Sequence, residues 1–357
     1  MTSSKRIFCI FVILALMLSV PMIASAEGET TAVSGEFTYK VYTDDTVCIT
    51  GYSGAGGDVI IPSEIGGRVV STIGDELFWY MEEITSVTLP ENLEYIGARV
   101  FQNCTSLTEI KLPDTVAEIG DACFLGCANL SKINVPAKLS YVGAFAFDET
   151  PWITQFDGCT SIILGGRVFY KYLADADSVV VPEGVVCISD NAFEGKNLSF
   201  VSIPDSVAFI GDYAFYNCKN LKEFRIPAAL YYLGENSIGL LPGTGELVPV
   251  EGLTIYADAE TIGAGYADMY EINLKKFEEF TEPVSLPEAE QCVPTAEIRY
   301  ADTGAEETPM GLSHGAVIAI ALSIAGCVVI IGGIAVVSHF YEKKRKKEFK
   351  NYKKKKK

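Results

Sequence analysis

Histidine is nearly absent from this chain of 357 residues. Its two histidines, His314 and His339, both flank one apolar run near the C-terminus. Serine and cysteine nucleophiles usually depend on a histidine base, so Ser-His-Asp and Cys-His catalysis is excluded for the rest of the chain. The sequence therefore predicts a protein that is not an enzyme, with no catalytic residue.

Basic residues are also scarce, at 28 Lys and Arg against 46 Asp and Glu, for a net charge of -18. This balance disfavours nucleic-acid binding, because like charge repels the phosphate backbone. The charge is unevenly distributed along the chain. Residues 27–312 hold 15 basic and 44 acidic side chains, whereas the last 17 residues hold eleven basic and two acidic ones. Opposite charge on the two sides of an apolar run points to a membrane between them.

Both ends of the chain carry the patterns of an exported membrane protein. Lys5 and Arg6 precede an apolar stretch, and Ala24-Ser25-Ala26 is a small-residue cleavage pattern, so residues 1–26 are expected to be a signal peptide rather than a buried N-terminal helix. Residues 313–340 include a run of 24 residues without a charge, from Gly315 to Ser338, and predict a transmembrane helix. The basic segment 341–357 then lies in the cytoplasm. We expect a single-pass protein of the cell membrane with its N-terminal part outside.

The segment Leu241-Pro242-Gly243-Thr244-Gly245 has the LPxTG form that sortases cleave. A sorting signal normally stands directly before its hydrophobic segment, and here about 70 residues intervene. A Gly/Pro turn is the alternative interpretation.

Prolines mark an internal repeat in the central part of the chain. The gaps between them are 28, 23, 23, 46, 22 and 23 residues, and 46 is twice 23. The prolines are Pro62, Pro90, Pro113, Pro136, Pro182, Pro204 and Pro227. A unit of this length cannot bury its apolar positions alone, so successive units are expected to stack as a solenoid over residues 61–240.

The pattern within one unit predicts its local structure. The end of each unit, such as Leu107-x-x-Ile110-x-Leu112, alternates as a strand does, which predicts one parallel strand per repeat. Glycines recur at one phase and suggest a turn with positive φ. They are Gly97, Gly120, Gly143 and Gly211. The repeat that follows Pro136 departs from the pattern after Phe147, and its phase returns at Pro182.

The strings "LPDTVAEIGDACFLGCANLSKINVP" and "IPDSVAFIGDYAFYNCKNLKEFRIP" resemble the leucine-rich repeats of the BspA type, which occur on bacterial surface proteins. The resemblance covers roughly residues 35–275. It implies a β-rich leucine-rich repeat solenoid with an N-terminal β cap (27–60) and a C-terminal cap (241–278). Residues 279–312 are rich in Glu, Pro and Thr and predict an extended stalk.

Cysteine and glycine patterns give no catalytic or metal site. Paired carboxylates could in principle hydrolyse glycosides, but among 44 acidic residues pairs occur by chance and no pair is singled out. Cys104, Cys127 and Cys218 recur at one repeat phase and are expected to be small buried core residues, although a bridge between the first two is conceivable. No histidine completes a zinc site with Cys123 and Cys127, so neither metal nor cofactor is expected. The Gly-rich residues 51–57 predict a hairpin turn, since no Gly-Lys-Ser/Thr follows to bind phosphate.

Two rows of side chains are the candidate binding surfaces. The first consists of outward positions on the repeat strands, namely Glu109, Lys111, Lys132, Asn134, Phe200, Glu223 and Arg225. The second lies five residues after the prolines and includes the aromatic residues Tyr95, Tyr141, Phe209 and Tyr232. Exposed aromatic rows suit contact with proteins or sugars, but these side chains could instead pack against one another or under a loop.

These observations predict a non-catalytic protein of the cell surface. Proteins that the repeat resembles are linked to binding of host matrix proteins, other microbes or surface components. We therefore expect an extracellular protein or glycan ligand, bound for adhesion or ligand capture, and no nucleic-acid partner. The alternative is an envelope structural or carbohydrate-sensing protein without adhesin activity.

Overall fold

The computed structural model describes residues 31–244, 246–281 and 289. Each repeat contributes two short parallel strands on two sides of a solenoid, where the sequence predicted one. The first strand begins five residues after the repeat proline, as in Tyr95–Ile96, and forms what we term the aromatic side. The second ends shortly before the next proline, as in Glu109–Ile110, and forms the proline side.

The aromatic side consists of two sheets. The first contains β1 (Ala32–Ser34), β2 (Phe37–Val41), β3 (Val47–Tyr52), β6 (Arg68–Ile73), β8 (Tyr95–Ile96), β10 (Glu118–Ile119) and β12 (Tyr141–Val142), with β5 (Glu64–Ile65) paired to β6. The second contains β13 (Ser161–Leu164), β14 (Val168–Tyr172), β16 (Cys187–Ile188), β18 (Phe209–Ile210) and β20 (Tyr232–Leu233). Strands β1 to β3 pair antiparallel and start the stack, and the repeat strands that follow pair parallel.

The proline side consists of three sheets. Strands β4 (Gly57–Ile60) and β7 (Ile84–Thr88) form the first, and β9 (Glu109–Ile110) and β11 (Lys132–Ile133) the second. The third contains β15 (Ser178–Val180), β17 (Phe200–Ser202), β19 (Glu223–Arg225), β23 (Thr254–Tyr256) and β24 (Asn273–Lys275). Residues 53–56 join β3 on one side to β4 on the other, and β3 does not pair with β4, so the hairpin turn predicted for residues 51–57 is wrong and this segment is a corner between sheets.

Three short helices and one hairpin complete the described fold. They are the 3-10 helices η1 (Ile153–Phe156) and η2 (Phe277–Glu279), the helix α1 (Ile262–Met269), and the antiparallel pair β21 (Leu240–Pro242) and β22 (Leu247–Pro249). In α1 the Thr261 hydroxyl accepts a hydrogen bond from the Ala264 N–H, which is an N-cap. The α1 residue Tyr266 packs over the end of the core, so this helix closes the solenoid.

Phenylalanines at one repeat phase stack along the core. Centroids of successive rings are 5.4, 5.2 and 5.6 Å apart along the series Phe78, Phe101, Phe124 and Phe147. Each such pair adds about 0.5–1.5 kcal/mol beyond its buried area. A second stack of Phe169, Phe193 and Phe215 has spacings of 4.7 Å. The repeat period therefore places identical side chains directly over one another.

The irregular repeat divides the core into two clusters. Strand β14 is buried on both faces, because Val168 and Tyr170 belong to the N-terminal cluster whereas Phe169 and Tyr172 belong to the C-terminal one. The antiparallel hairpin of β13 and β14 thus fills the place of one repeat, which accounts for the doubled gap between prolines. Strand β14 pairs parallel with β16, so the solenoid continues through this region as predicted.

The recurrent glycines are required for a different reason from the one expected. A Cβ added to Gly120 would lie 2.5 Å from the Ala98 nitrogen and 2.6 Å from the Gly97 carbonyl carbon of the preceding repeat. Positive φ occurs instead two residues later, at Arg99, Ala122 and equivalent non-glycine positions. The glycines are therefore needed because backbones of adjacent repeats approach closely, and the predicted positive-φ turn at Gly97, Gly120, Gly143 and Gly211 is wrong.

The expected terminal segments fall outside the part of the chain that the structure describes. These are the signal peptide (1–26), the transmembrane helix (313–340), the basic tail (341–357) and most of the stalk (279–312). Among the described residues, no helix has the length and hydropathy needed to cross a bilayer. The LPxTG-like string begins within a hairpin, where Leu241 and Pro242 pair with Val248 and Leu247.

Candidate ligand-binding surfaces

The aromatic row lines up in register along the aromatic side, as the repeat period predicted. Glu118 pairs with Tyr95 on one side and Tyr141 on the other, and Phe209 pairs with Tyr232 in the second sheet. The rings of Phe209 and Tyr232 stack with centroids 4.4 Å apart. These side chains are half-buried rather than fully exposed, which favours the interpretation that they pack against one another.

Side chains bridge the two sheets of the aromatic side where they meet. In one continuous sheet, β12 and β18 would be about 14 Å apart, at three strand spacings. The Tyr141 and Phe209 rings nevertheless meet edge to face with centroids 5.1 Å apart. The Tyr141 hydroxyl also donates a hydrogen bond to Asp190 Oδ2 at 3.1 Å. We call Tyr141, Phe209 and Asp190 the junction.

Asp190 is the group with unusual electrostatics at this junction. Burial, together with the nearby carboxylates of Asp121 and Asp212, raises the pKa of Asp190 to about 7. Burial likewise raises the pKa of Asp121 and of Glu118. The Asp212 N–H donates to Asp190 Oδ1 at 2.6 Å, so both carboxyl oxygens of Asp190 have protein partners. The carboxyl therefore holds the two sheets together, and its proton is exchangeable near neutral pH.

The first candidate surface consists of the outward positions on the repeat strands. Its N-terminal half is exposed to solvent. Lys132 Nζ lies 3.2 Å from Glu109 Oε2 in an exposed ion pair between neighbouring strands, and Lys111 is exposed beside it. Asn134 has a structural role, because its amide accepts from the Leu112 N–H at 2.7 Å and donates to the Leu112 carbonyl at 2.8 Å. Exposed pairs of this kind stabilise a fold by at most about 1 kcal/mol, so Glu109, Lys111 and Lys132 are accessible for contact.

The C-terminal half of that face is covered by the chain itself. The Phe280 ring stacks on Phe200 with centroids 5.7 Å apart, and Phe200 is only 7% exposed. The Phe277 ring centroid lies 4.3 Å from the Arg225 guanidinium carbon, a cation–π contact. Glu223 accepts a hydrogen bond from a tyrosine hydroxyl of the next strand. Phe200 and Arg225 are therefore not the solvated side chains that the repeat phase predicted, whereas Glu223 is half-buried.

An exposed aromatic pair that the sequence analysis passed over lies at the N-terminal end. Trp79 and Tyr80 are 48% and 56% exposed, with ring centroids 5.0 Å apart. Trp79 Nε1 donates to Gln102 Oε1 at 3.1 Å, and Arg99 forms a 2.6 Å ion pair with Glu76 on the same turns. In the run Phe78-Trp79-Tyr80, only Phe78 has the core phase of the repeat. The two further aromatic residues have no core position, and this excess is the sequence signal that could have identified the pair.

The cysteines at the common phase are core residues, as expected. Cys104 donates from Sγ to the Phe78 carbonyl at 3.2 Å, and Cys127 donates to the Phe101 carbonyl at 2.9 Å. Both are free thiols, so they form no bridge with each other. Cys159, by contrast, is disulfide-bonded. Within the described ranges, no group of three or more His, Cys, Asp or Glu side chains could hold a metal ion.

Comparison with solved structures finds bacterial leucine-rich repeat proteins. A leucine-rich cell surface protein from Faecalibacterium prausnitzii is 27% identical, with 66% of this chain and 56% of that chain covered and a TM-score of 0.36. A leucine-rich repeat protein from Bacteroides ovatus is 26% identical, with 64% and 59% covered and a TM-score of 0.34. The chain thus spans less than two thirds of the length of either structure. None of the curated proteins compared with the chain matches it.

The repeat region itself matches a family model. Six copies of the BspA type leucine rich repeat region match residues 61–174 and 162–239, which together make up half of the chain. The matched residues are the stacked repeats and the β13–β14 hairpin described above. The chain therefore belongs to the family of BspA-type leucine-rich repeat proteins.

Proposed function

We propose that this protein is a non-catalytic, membrane-anchored cell-surface protein that binds an extracellular protein ligand. The observation that carries the proposal is the exposed pair Trp79 and Tyr80 with Arg99 beside it. Tryptophan, tyrosine and arginine are the residues enriched in the energetic centres of protein interfaces. Two large exposed rings in contact have no role in the core and are available to a partner.

The charge of the chain indicates what kind of surface the partner presents. Residues 27–312 hold 44 acidic and 15 basic side chains, so the field around this part of the chain is negative. A negative field speeds encounter with a basic surface and does so less at high salt. The expected ligand is therefore a protein with a basic contact surface.

The test compares the full chain with the double variant Trp79→Ala/Tyr80→Ala on an array of matrix proteins, mucins and wall glycans. Met269→Ala is the matched control, because Met269 is 73% exposed at the opposite end of the solenoid. We expect saturable binding to a protein that falls at least tenfold in the double variant, persists in the control and weakens with salt. Binding that the double variant retains would refute this site. Binding to no array member would favour an envelope structural role.

A further inference from the structure

The turns that follow the strands of the aromatic side form a third side of the solenoid, which we call the turn side. At its C-terminal end, three successive repeats place Asn191, Tyr213 and Asn236 at one phase, each three residues after the end of its strand. The N–H groups of Asn191 and Tyr213 each donate to a carbonyl of the next repeat at 3.0 Å. The φ angles of the three residues are 57°, 57° and 54°. Their side chains therefore leave the backbone alike and are neighbours on adjacent turns.

Three tyrosine rings lie on this part of the turn side. The rings of Tyr213 and Tyr216 meet at 89° with centroids 5.4 Å apart, and Tyr216 directly follows the core residue Phe215. The third ring belongs to Tyr270, the residue after α1, whose hydroxyl donates to Asn236 Oδ1 at 3.0 Å. All three tyrosines are half-buried, so part of each remains accessible to solvent.

The same surface carries hydrogen-bonding groups that the protein does not use. Within the described ranges, the hydroxyls of Tyr213 and Tyr216 make no hydrogen bond, and the Asn236 Nδ2 donates none. Asn191 Nδ2 donates to Glu194 Oε2 at 2.7 Å, which leaves Asn191 Oδ1 and the other Glu194 oxygen as acceptors. We call Asn191, Glu194, Tyr213, Tyr216, Asn236 and Tyr270 the tyrosine surface.

The charge of this surface excludes an anionic ligand. None of its six residues is basic. Burial raises the pKa of Tyr270, and the carboxylates of Glu235 and Asp212 act in the same direction, so these two negative charges lie close to the Tyr270 hydroxyl. Phosphate, sulfate and carboxylate groups would be repelled there.

The mixture of donors and acceptors indicates a neutral ligand rather than a cation. A cation would occupy the acceptors and leave the phenol and amide donors without partners. A sugar hydroxyl both donates and accepts, and the apolar C–H face of a sugar ring packs on an aromatic face. We propose that the tyrosine surface is a binding site for a neutral carbohydrate.

This site is separate from Trp79 and Tyr80, which lie toward the N-terminal end of the solenoid. It gives the protein a second ligand of another chemical class. A neutral ligand is not attracted by the negative field of the chain, so its affinity should not depend on salt, whereas binding of a basic protein should weaken as salt rises.

The test measures binding of the full chain to a panel of neutral, sialylated and sulfated oligosaccharides, with affinities from titration calorimetry. We expect a neutral member to bind, and to bind at least tenfold more weakly to Tyr213→Ala/Tyr216→Ala. The matched control Trp79→Ala/Tyr80→Ala also removes two aromatic rings from the turn side and should keep the affinity of the parent protein. Binding of charged members alone, of no member, or equally by the parent and Tyr213→Ala/Tyr216→Ala overturns the proposal.

A milder variant covers the case in which the loss of two rings disturbs the fold. Tyr213→Phe/Tyr216→Phe removes only two hydroxyls, which make no hydrogen bond with the described part of the chain. We expect threefold to tenfold weaker binding of the oligosaccharide, with unchanged stability in urea. Unchanged affinity in this variant overturns the proposal. Because the control variant removes the residues proposed to bind a protein ligand, failure of one proposal is distinguishable from failure of the other.

Discussion

The Tyr141 hydroxyl donates a hydrogen bond to Asp190 at 3.1 Å, across the point where the two sheets of the aromatic side meet. No strand pairing joins β12 to β14 there, so this side-chain contact substitutes for a missing backbone ladder. Tyr141→Phe removes the donor but keeps the ring that packs on Phe209. We expect the free energy of unfolding to fall by about 1–2 kcal/mol, as measured by urea denaturation.

The matched control for this change is Tyr80→Phe, which also removes one tyrosine hydroxyl. Tyr80 is 56% exposed, so its hydroxyl is solvated in both folded and unfolded states. The control is expected to alter stability by less than about 0.5 kcal/mol. An equal effect of the two substitutions would show that the contact between Tyr141 and Asp190 does not stabilise the junction.

The raised pKa of Asp190 predicts that stability depends on pH. Its pKa is about 7 in the folded protein and near the ordinary aspartate range when unfolded. Between roughly pH 4 and pH 7 the folded state therefore retains a proton that the unfolded state has lost, so stability falls as pH rises through this window. We expect a loss of about 4 kcal/mol from pH 4 to pH 8, measured by urea denaturation at each pH.

The variant Asp190→Asn isolates this effect, because an uncharged amide keeps the acceptor for the Asp212 N–H and has no proton to lose. The described residues contain no histidine, the group that ordinarily titrates in this window. The variant is expected to show a much flatter profile between pH 5 and pH 8. The control Glu91→Gln removes an exposed carboxylate and should keep the dependence of stability on pH that the parent protein shows. The same dependence in Asp190→Asn would contradict the prediction.

Proline spacing and residue phase predicted the stacking because a solenoid repeats its environment at every turn. The pairing of Glu118 with Tyr141 and the buried position of Cys127 both follow from period alone. The strand on the aromatic side of each repeat, such as Tyr95–Ile96, escaped notice because it spans only two residues, too short for alternation to show. Close approach of the backbone at Gly120 could not be distinguished from a positive-φ turn, since both require glycine.

The candidate surfaces were predicted less well, because they depend on contacts that the repeat does not encode. Phe200 has the outward phase of a ligand face, yet a residue 80 positions later covers it. Such long-range covering leaves no periodic signal in the covered strand. Trp79 could have been found, since an aromatic residue outside the core phase of a repeat has no packing role that the period explains.

Gly120→Ala tests the close approach between repeats. The added Cβ would meet the Ala98 nitrogen at 2.5 Å, and backbone cannot move aside as a flexible side chain can. We expect destabilisation of at least about 2 kcal/mol in chemical denaturation. Gly265→Ala is the control, because its Cβ in α1 would meet no atom within 4 Å. That change should stabilise the protein by about 0.5–1 kcal/mol, so equal effects at the two sites would contradict the steric explanation.

The free cysteines are expected to be inert in the folded protein. Burial raises the pKa of Cys104, Cys127 and Cys218 to about 12, so almost none is thiolate at pH 8. Labelling by a thiol reagent, followed residue by residue by mass spectrometry, should therefore be at least a hundredfold slower than in denaturant. The variant Ala55→Cys places a thiol at an exposed position and gives the rate of an accessible cysteine.

The same labelling experiment shows whether adjacent repeats separate independently or only when the whole solenoid unfolds. Each thiol donates to a carbonyl of the preceding repeat, as Cys127 does to Phe101 at 2.9 Å, so a reagent reaches it only when adjacent repeats separate. If adjacent repeats separate independently along the solenoid, Cys104 and Cys127 of the N-terminal cluster will label at a different rate from Cys218 of the C-terminal cluster. A common rate that follows global unfolding would show that the solenoid opens as one cooperative unit. Labelling of any of these thiols in the native state at the rate of Ala55→Cys would contradict their burial.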